Sequence, residues 1–87
     1  MNKALIQTYV WHEGEAFFVS TINRRSSAAA SHFSFYAETL VWEWFPEIRK
    51  RGELIGQDEH LEDSIFAHQR MVQRLFDTGL CEDKGEV

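Results

Sequence analysis

The sequence predicts an α+β fold in which a small antiparallel sheet packs against one C-terminal amphipathic helix. In residues 1–45, apolar side chains alternate with a period of two, and many are aromatic or β-branched, a pattern typical of strands. In residues 58–79, apolar residues recur every three or four positions and a glycine follows the last, as in a helix that ends at a glycine cap. We therefore expect one domain over residues 1–80 and a disordered tail over residues 81–87.

The first two strands are predicted to form a hairpin. Residues 3–11 place Leu5, Tyr9 and Trp11 on one face and smaller apolar residues on the other. The polar segment 12–15 (HEGE) contains a glycine that supplies positive φ in a tight turn. Residues 16–23 (AFFVSTIN) follow as a second strand rich in β-branched and aromatic residues.

The segment 33–45 (FSFYAETLVWEWF) fits two interpretations, because its apolar residues match both helical spacing and strict alternation. Residue type favours a strand, since Thr, Val, Trp and Phe suit pleated surfaces and the segment ends directly before Pro46. We predict a third strand over residues 38–45. In that strand Trp42 and Trp44 point one way and Val41 and Phe45 the other.

Residues 46–52 (PEIRKRG) are predicted to form a turn, and residues 53–55 a possible short fourth strand. Asp58 is a candidate N-cap for the helix, with further carboxylates in the first turn. Gly79 is the predicted residue after the helix end. The predicted buried stripe of the helix consists of Leu61, Ile65, His68, Val72, Leu75 and Phe76.

Composition limits the classes of function. The 87 residues carry a net charge of −5, which disfavours a general binder of polyanions. The single cysteine, Cys81, excludes an internal disulfide framework. Neither a signal peptide nor a long apolar span is predicted, so we expect a soluble, cytoplasmic protein without membrane contact.

Three short blocks resemble a group of uncharacterised phage and bacterial proteins. These blocks are VST at 19–21, ETLVWEW at 38–44 and AHQRMV at 67–72. The group carries a VST strand, an ETMVF-like strand and a helix containing H-x-x-M-V, so the resemblance implies a strand at residues 38–44. It implies no activity, and the basic stretch after the middle block is longer here than in the group.

His68 is the candidate for chemistry that lies in the helix stripe. A catalytic interpretation makes it a general base tuned by burial, with Glu38 or Glu43 of the third strand in reach. The structural interpretation makes it a core histidine bonded to a backbone carbonyl or a strand side chain, and we favour that one. We predict no catalytic residues and no cofactor.

Two further polar groups are interpreted as ordinary loops. His12, Glu13 and Glu15 form a cluster at a turn, but zinc sites need three or four convergent ligands, so we predict no metal site. Ser31 and His32 are sequence neighbours and lack the nucleophile-elbow motif of a hydrolase.

The predicted function is that of a non-catalytic accessory or interaction protein that forms a homodimer. Twelve aromatic residues exceed the need of a small core, and one helix covers only one face of a sheet. Trp42, Trp44 and Phe45 are the expected interface residues; another protein partner is the other option. The alternative function is binding of single-stranded nucleic acid by strand aromatics and the basic residues Arg24, Arg25, Arg49, Lys50 and Arg51.

Overall fold

The computed structural model describes residues 5–25, 35–60 and 64–81. It contains four strands and one helix: β1 (Leu5–His12), β2 (Glu15–Arg25), β3 (Phe35–Phe45), β4 (Lys50–His60) and α1 (Ser64–Thr78). The strands form one antiparallel sheet in the order β1-β2-β3-β4. The predicted α+β class is therefore confirmed.

The hairpin between β1 and β2 turns on two residues. Glu13 has a φ of 52° and Gly14 a φ of 87°, the pair of positive values that defines a type I′ turn. This turn matches the right-handed twist of the strands, and β1 pairs with β2 without interruption from Leu5↔Ile22 to His12↔Glu15. Glycine at the second turn position adopts positive φ without the steric cost that other residues meet there.

The fourth strand is much longer than the three residues predicted for it. β4 pairs with β3 from Phe45↔Lys50 to Ala37↔His60. Asp58 and Glu59 therefore lie in a strand, and the prediction of Asp58 as the helix N-cap is wrong. The local sequence GELIGQDEH has low strand propensity, and pairing with the adjacent β3 overrides it. Irregularities in the pairing beside Trp42 leave extra residues on β4, which bulges there.

The helix buries a different stripe from the predicted one. Its buried residues are Ser64, Ala67, His68, Met71 and Leu75. Ile65 and Phe76 are 53% and 62% exposed, so their assignment to the buried stripe is wrong, whereas Leu61 lies outside the described residues. The core combines Met71 and Leu75 of the helix with Val10, Phe17, Val19 and Val41 of the sheet.

The helix ends as the sequence predicts. Gly79 has a φ of 72°, and its backbone N–H donates to the carbonyl oxygen of Leu75 over 2.8 Å. This is the left-handed cap that glycine favours. Cys81 is partly buried against the core, and its Sγ packs over Gly56 of β4. Of the disordered tail predicted over residues 81–87, Cys81 is thus held against the core, and residues 82–87 lie outside the described residues.

Within the described ranges, no helix combines the length and the apolar character that a membrane crossing demands.

Candidate interaction surface on the sheet

The two faces of the sheet differ in what covers them. The helix packs on the face that carries Val10, Val19 and Val41, and its contacts are with β1, β2 and β3. On the opposite face, none of the described residues outside the sheet forms a second layer. We call this second face the open face. Its central residues, from alternation and register, are Tyr9, Trp11, Phe18, Leu40, Trp42, Trp44, Arg51 and Leu54.

Four aromatic rings form a continuous cluster on the open face. The ring centroid of Tyr9 lies 4.7 Å from that of Trp44 and 5.2 Å from that of Phe18. Phe18 in turn lies 5.7 Å from Trp42 and 5.9 Å from Trp44. All four contacts are tilted, which the quadrupoles of aromatic rings favour over face-to-face stacking. Phe18 is buried beneath its neighbours, but Tyr9 remains 48% exposed.

One end of the open face is basic. Arg51 is paired with Trp44 across the β3–β4 ladder, and its guanidinium carbon lies 4.6 Å above the ring centroid of Trp42, a cation–π arrangement. Arg49 has a φ of 56° and donates its N–H to the carbonyl oxygen of Phe45, which closes the β3–β4 turn. A shallow groove of about 530 Å³ is lined by Gln7, Phe18, Trp44, Arg49, Lys50 and Arg51.

The other end of the open face is acidic. Glu38 and Glu59 are partners across the β3–β4 ladder, so their side chains share this face. The side-chain amide of Gln57 donates to Glu38 Oε2 over 3.2 Å. Among the side chains that the structure describes on the open face, charges of opposite sign therefore lie at its two ends, with the aromatic cluster near the basic end.

The structure separates the three predicted interface residues. Trp42 and Trp44 belong to the aromatic cluster on the open face. Phe45 follows Trp44 by one residue and lies on the other face, where its ring packs over Gly52. Of the two basic segments, Arg49–Arg51 adjoins the aromatic rings. Arg24 and Arg25 end β2, and their side chains lie outside the part of the chain that is described.

His68 is held in the core by threonine hydroxyls from two strands. Its Nε2 lies 2.7 Å from Thr8 Oγ1 and its Nδ1 lies 2.8 Å from Thr21 Oγ1. Thr21 Oγ1 is also 2.7 Å from Thr39 Oγ1. A neutral imidazole satisfies this chain with one nitrogen donating and the other accepting. Burial lowers the pKa of His68, so the neutral form dominates near neutral pH.

The two strand carboxylates that are predicted to lie in reach of His68 are directed elsewhere. Glu38 faces the opposite side of the sheet, and Glu43 Oε1 accepts a hydrogen bond from the backbone N–H of Glu53. The contacts that hold His68 are the two threonine hydroxyls, of which that of Thr21 is buried and that of Thr8 is partly buried. The geometry matches the structural interpretation of this residue, with a strand side chain as its partner.

The other candidate groups are loop or strand-end residues. Nδ1–H of His12 donates to the carbonyl oxygen of Phe76 over 2.8 Å, which fastens β1 to the end of the helix. Ser31 and His32 lie outside the described residues. Among the residues that are described, no three His, Cys, Asp or Glu side chains are grouped to hold a metal ion.

Sequence reasoning missed two members of the aromatic cluster. Alternation in β1 predicts the correct face for Tyr9, but the contact of Tyr9 with Trp44, two strands away, depends on the registers of β1–β2 and β2–β3. Phe18 lies between them on β2. The sequence signal for this contact is the strand alternation together with the hairpin turn. Pairing that starts at His12↔Glu15 places Tyr9 opposite Phe18.

Comparisons of this chain with protein-family models, with curated proteins and with solved structures give no match in any of the three. The resemblance to short phage and bacterial proteins stays a prediction.

Proposed function

We propose that this chain is a non-catalytic interaction protein that self-associates, and that two copies bind each other through their open faces. The observation that carries the proposal is the aromatic cluster on a sheet face that no described element covers. Antiparallel sheets that meet water on one face usually carry polar side chains there. Here the open face exposes about half of Tyr9, of Trp11 and of Leu54. Contiguous apolar patches of this kind mark interaction sites.

Charge favours a second copy as the partner. A two-fold axis that lies between two facing sheets and runs across the strands places the basic end of each copy over the acidic end of the other. Arg51 of one copy then approaches Glu59 of the second copy, and the reciprocal pair forms by symmetry. A two-fold axis along the strands would instead place like charges together. The open face is therefore complementary to itself in one orientation.

The size of the open face sets the expected strength of the dimer. Four strands at a spacing of about 4.8 Å, with roughly eight residues at about 3.3 Å each, give a footprint of about 500 Å² per copy. Two such faces bury about 1,000 Å², which is at the small end of specific interfaces. The dimer should therefore dissociate on dilution in an accessible concentration range.

Light scattering after size exclusion tests the proposal with a matched pair of variants. Trp44→Glu replaces a ring of the aromatic cluster with a carboxylate that faces the acidic end of the second copy, and it should reduce association by at least about tenfold, since it removes apolar contact area and adds like-charge repulsion. Phe66→Glu alters a residue that is 64% exposed on the solvent side of the helix and should have no effect. A wild-type chain that stays at 10.2 kDa at every concentration refutes the proposal.

Charge reversal tests the orientation. Arg51→Glu and Glu59→Arg should each weaken the dimer, because each turns two symmetric attractions into repulsions. The double variant Arg51→Glu/Glu59→Arg restores opposite charges and should recover much of the lost affinity. If the double variant loses as much affinity as the single variants, this two-fold arrangement is ruled out, while association of the open faces in another orientation remains.

A second candidate function is the binding of single-stranded nucleic acid, favoured by the position of Arg49, Lys50 and Arg51 beside the aromatic cluster. Stacking on aromatic rings with cations along the backbone is how such chains are bound without sequence preference. Two observations place it second. Arg51 already occupies the ring face of Trp42, and the chain carries a net charge of −5.

Fluorescence anisotropy with labelled oligothymidylate separates the two functions. We expect no binding in the micromolar range near physiological salt. Binding that weakens steeply with salt, as counterion release requires, and that is lost in Arg49→Glu but kept in Arg70→Glu would make nucleic acid the preferred function.

A further inference from the structure

We infer that the free edge of β1, together with the adjacent side of α1, is a second self-association surface on which β1 of another copy adds as an antiparallel strand. This surface is separate from the open face and the inference does not depend on it. Among the described residues β1 pairs only with β2, so the hydrogen-bonding groups along its outer edge have no strand partner.

β1 lacks the features that normally protect an edge strand. Natural edges are blocked by charged side chains, prolines, bulges or short length. The sequence of β1, LIQTYVWH, contains no Lys, Arg, Asp, Glu or Pro. Its eight residues pair with β2 in a regular register without a bulge. A regular, uncharged edge of this length is a template for strand addition.

A groove without charged side chains runs beside this edge. It has a volume of about 610 Å³, and its lining comes from β1 and α1: Ile6, Thr8, Ile65, His68, Gln69, Val72 and Gln73. Two copies of a chain with net charge −5 repel each other in general. The lining of this groove supplies no like charges, so a second copy can approach closely here.

The helix presents an apolar stripe on the same side. Ile65, Gln69, Val72 and Phe76 are spaced three or four residues apart and so share one helical face. Ile65 is 53% exposed and Phe76 is 62% exposed, and the carbonyl oxygen of Phe76 accepts a hydrogen bond from His12 at the end of β1. The stripe therefore follows β1 along its length, with Ile65 and Phe76 exposed near its ends and Val72 partly packed against the core.

Strand pairing would bring two such helices into packing distance. His68 bonds to Thr8 of β1 and to Thr21 of β2, which places this side chain over the seam between these strands. Since α1 also packs against β3, its axis lies between that seam and β2, about 2.4–4.8 Å inside β1. β1 of a second copy pairs at a strand spacing of about 4.8 Å, so the two-fold axis midway between the two strands lies about 2.4 Å outside β1. The helix axes are then about 10–14 Å apart, and the near end of this span is the distance between packed helices.

The same two-fold axis makes the stripe complementary to itself. This two-fold axis runs perpendicular to the sheet, so α1 and its copy are antiparallel. Ile65 of each copy then lies toward Phe76 of the other. One symmetric contact thus covers the strand edge and the exposed apolar side chains together. Because a second copy covers the strand edge and the apolar side chains at the same time, we take a second copy of the chain, rather than a small molecule, as the occupant.

The experiment uses Trp44→Glu as the background, because it removes the proposed open-face contact. Light scattering over a concentration series should give twice 10.2 kDa for this variant and a larger mass for the wild type, which holds both surfaces. Trp44→Glu/Phe76→Glu should be a monomer, whereas the matched control Trp44→Glu/Phe66→Glu should remain a dimer. Circular dichroism checks that each variant is folded.

The outcomes separate this inference from the open-face proposal. A folded Trp44→Glu variant that is monomeric at all concentrations overturns the β1 surface and supports the open face. A wild type whose mass is unchanged by Trp44→Glu but halved by Phe76→Glu supports the β1 surface and removes the open face. Hydrogen exchange in the wild type is independent of these variants: the outer amides of β1 should be slowed at high protein concentration, and concentration-independent exchange would contradict the inference.

Discussion

Acidification should destabilise this fold through His68. The imidazole is 3% exposed, and both ring nitrogens contact threonine hydroxyls of the sheet. Burial lowers the pKa of His68 in the folded chain below its usual value of 6.5. The unfolded chain therefore binds a proton at this position more readily than the folded chain does.

The sign and the magnitude follow from proton linkage. Above about pH 6.5 the histidine is neutral in both states, and the full stability is present. As the pH falls below this value the unfolded state gains the proton first, so the free energy of unfolding decreases by up to about 1.4 kcal/mol per pH unit. The decrease stops below the folded-state pKa, where both states are protonated. For a domain with a stability of roughly 5–10 kcal/mol this is a measurable loss.

Urea unfolding followed by circular dichroism at about pH 7 and about pH 5 measures the effect. His68→Gln is the informative variant, since it keeps a polar side chain but cannot titrate. It should lose about 1–3 kcal/mol at pH 7 through imperfect hydrogen bonding to Thr8 and Thr21. Its stability should also change less with pH than that of the wild type. An equal pH dependence in both proteins would refute the assignment of this effect to His68, because the other histidines are common to both.

Three further changes test the fold. Leu75→Asp should unfold the domain, because Leu75 is fully buried and an unpaired charge there costs several kcal/mol; a folded variant by circular dichroism would contradict the helix-face assignment. Gln69→Ala should change the stability of the monomer by less than about 0.5 kcal/mol in urea titrations, since Gln69 is exposed. Gly79→Ala should lower it by about 1–2 kcal/mol, because a Cβ at positive φ is strained and would lie 2.6 Å from the ring of His12; an unchanged urea midpoint would show that the cap has another geometry.

The hairpin and the helix end were predictable because their signals are local. The turn at Glu13 and Gly14, the alternation in β1 and the cap at Gly79 depend on residues close in sequence. β4 was not predictable at its full length, since its residues are poor strand formers and its stability comes from pairing with β3.

The buried stripe of the helix shows a different limit. Apolar residues are spread over more than half of the helix circumference, so periodicity alone does not identify the centre of the buried face. The structure centres it on His68, Met71 and Leu75, and this leaves Ile65 and Phe76 exposed. The orientation of the buried face depends on the threonine hydroxyls of the sheet that hydrogen-bond to His68, and those contacts join residues far apart in sequence.

The candidate surface was predictable in part. Alternation placed Trp42 and Trp44 on one face of β3 and Phe45 on the other, as observed. The position of Arg51 above Trp42 was not predictable, because the bulged register between β3 and β4 sets it.

The central claim is that the open face binds a second copy, and fluorine NMR of the 5-fluorotryptophan-labelled protein tests it most directly. All three tryptophans lie on the open face by register, with Trp42 and Trp44 in the aromatic cluster and Trp11 beside them. Substitution of each tryptophan in turn assigns the three resonances. On dilution through the dissociation range, the resonances of Trp42 and Trp44 should shift together with the fall in mass. Resonances that stay unchanged while the mass falls would show that association occurs at another surface and would contradict the claim.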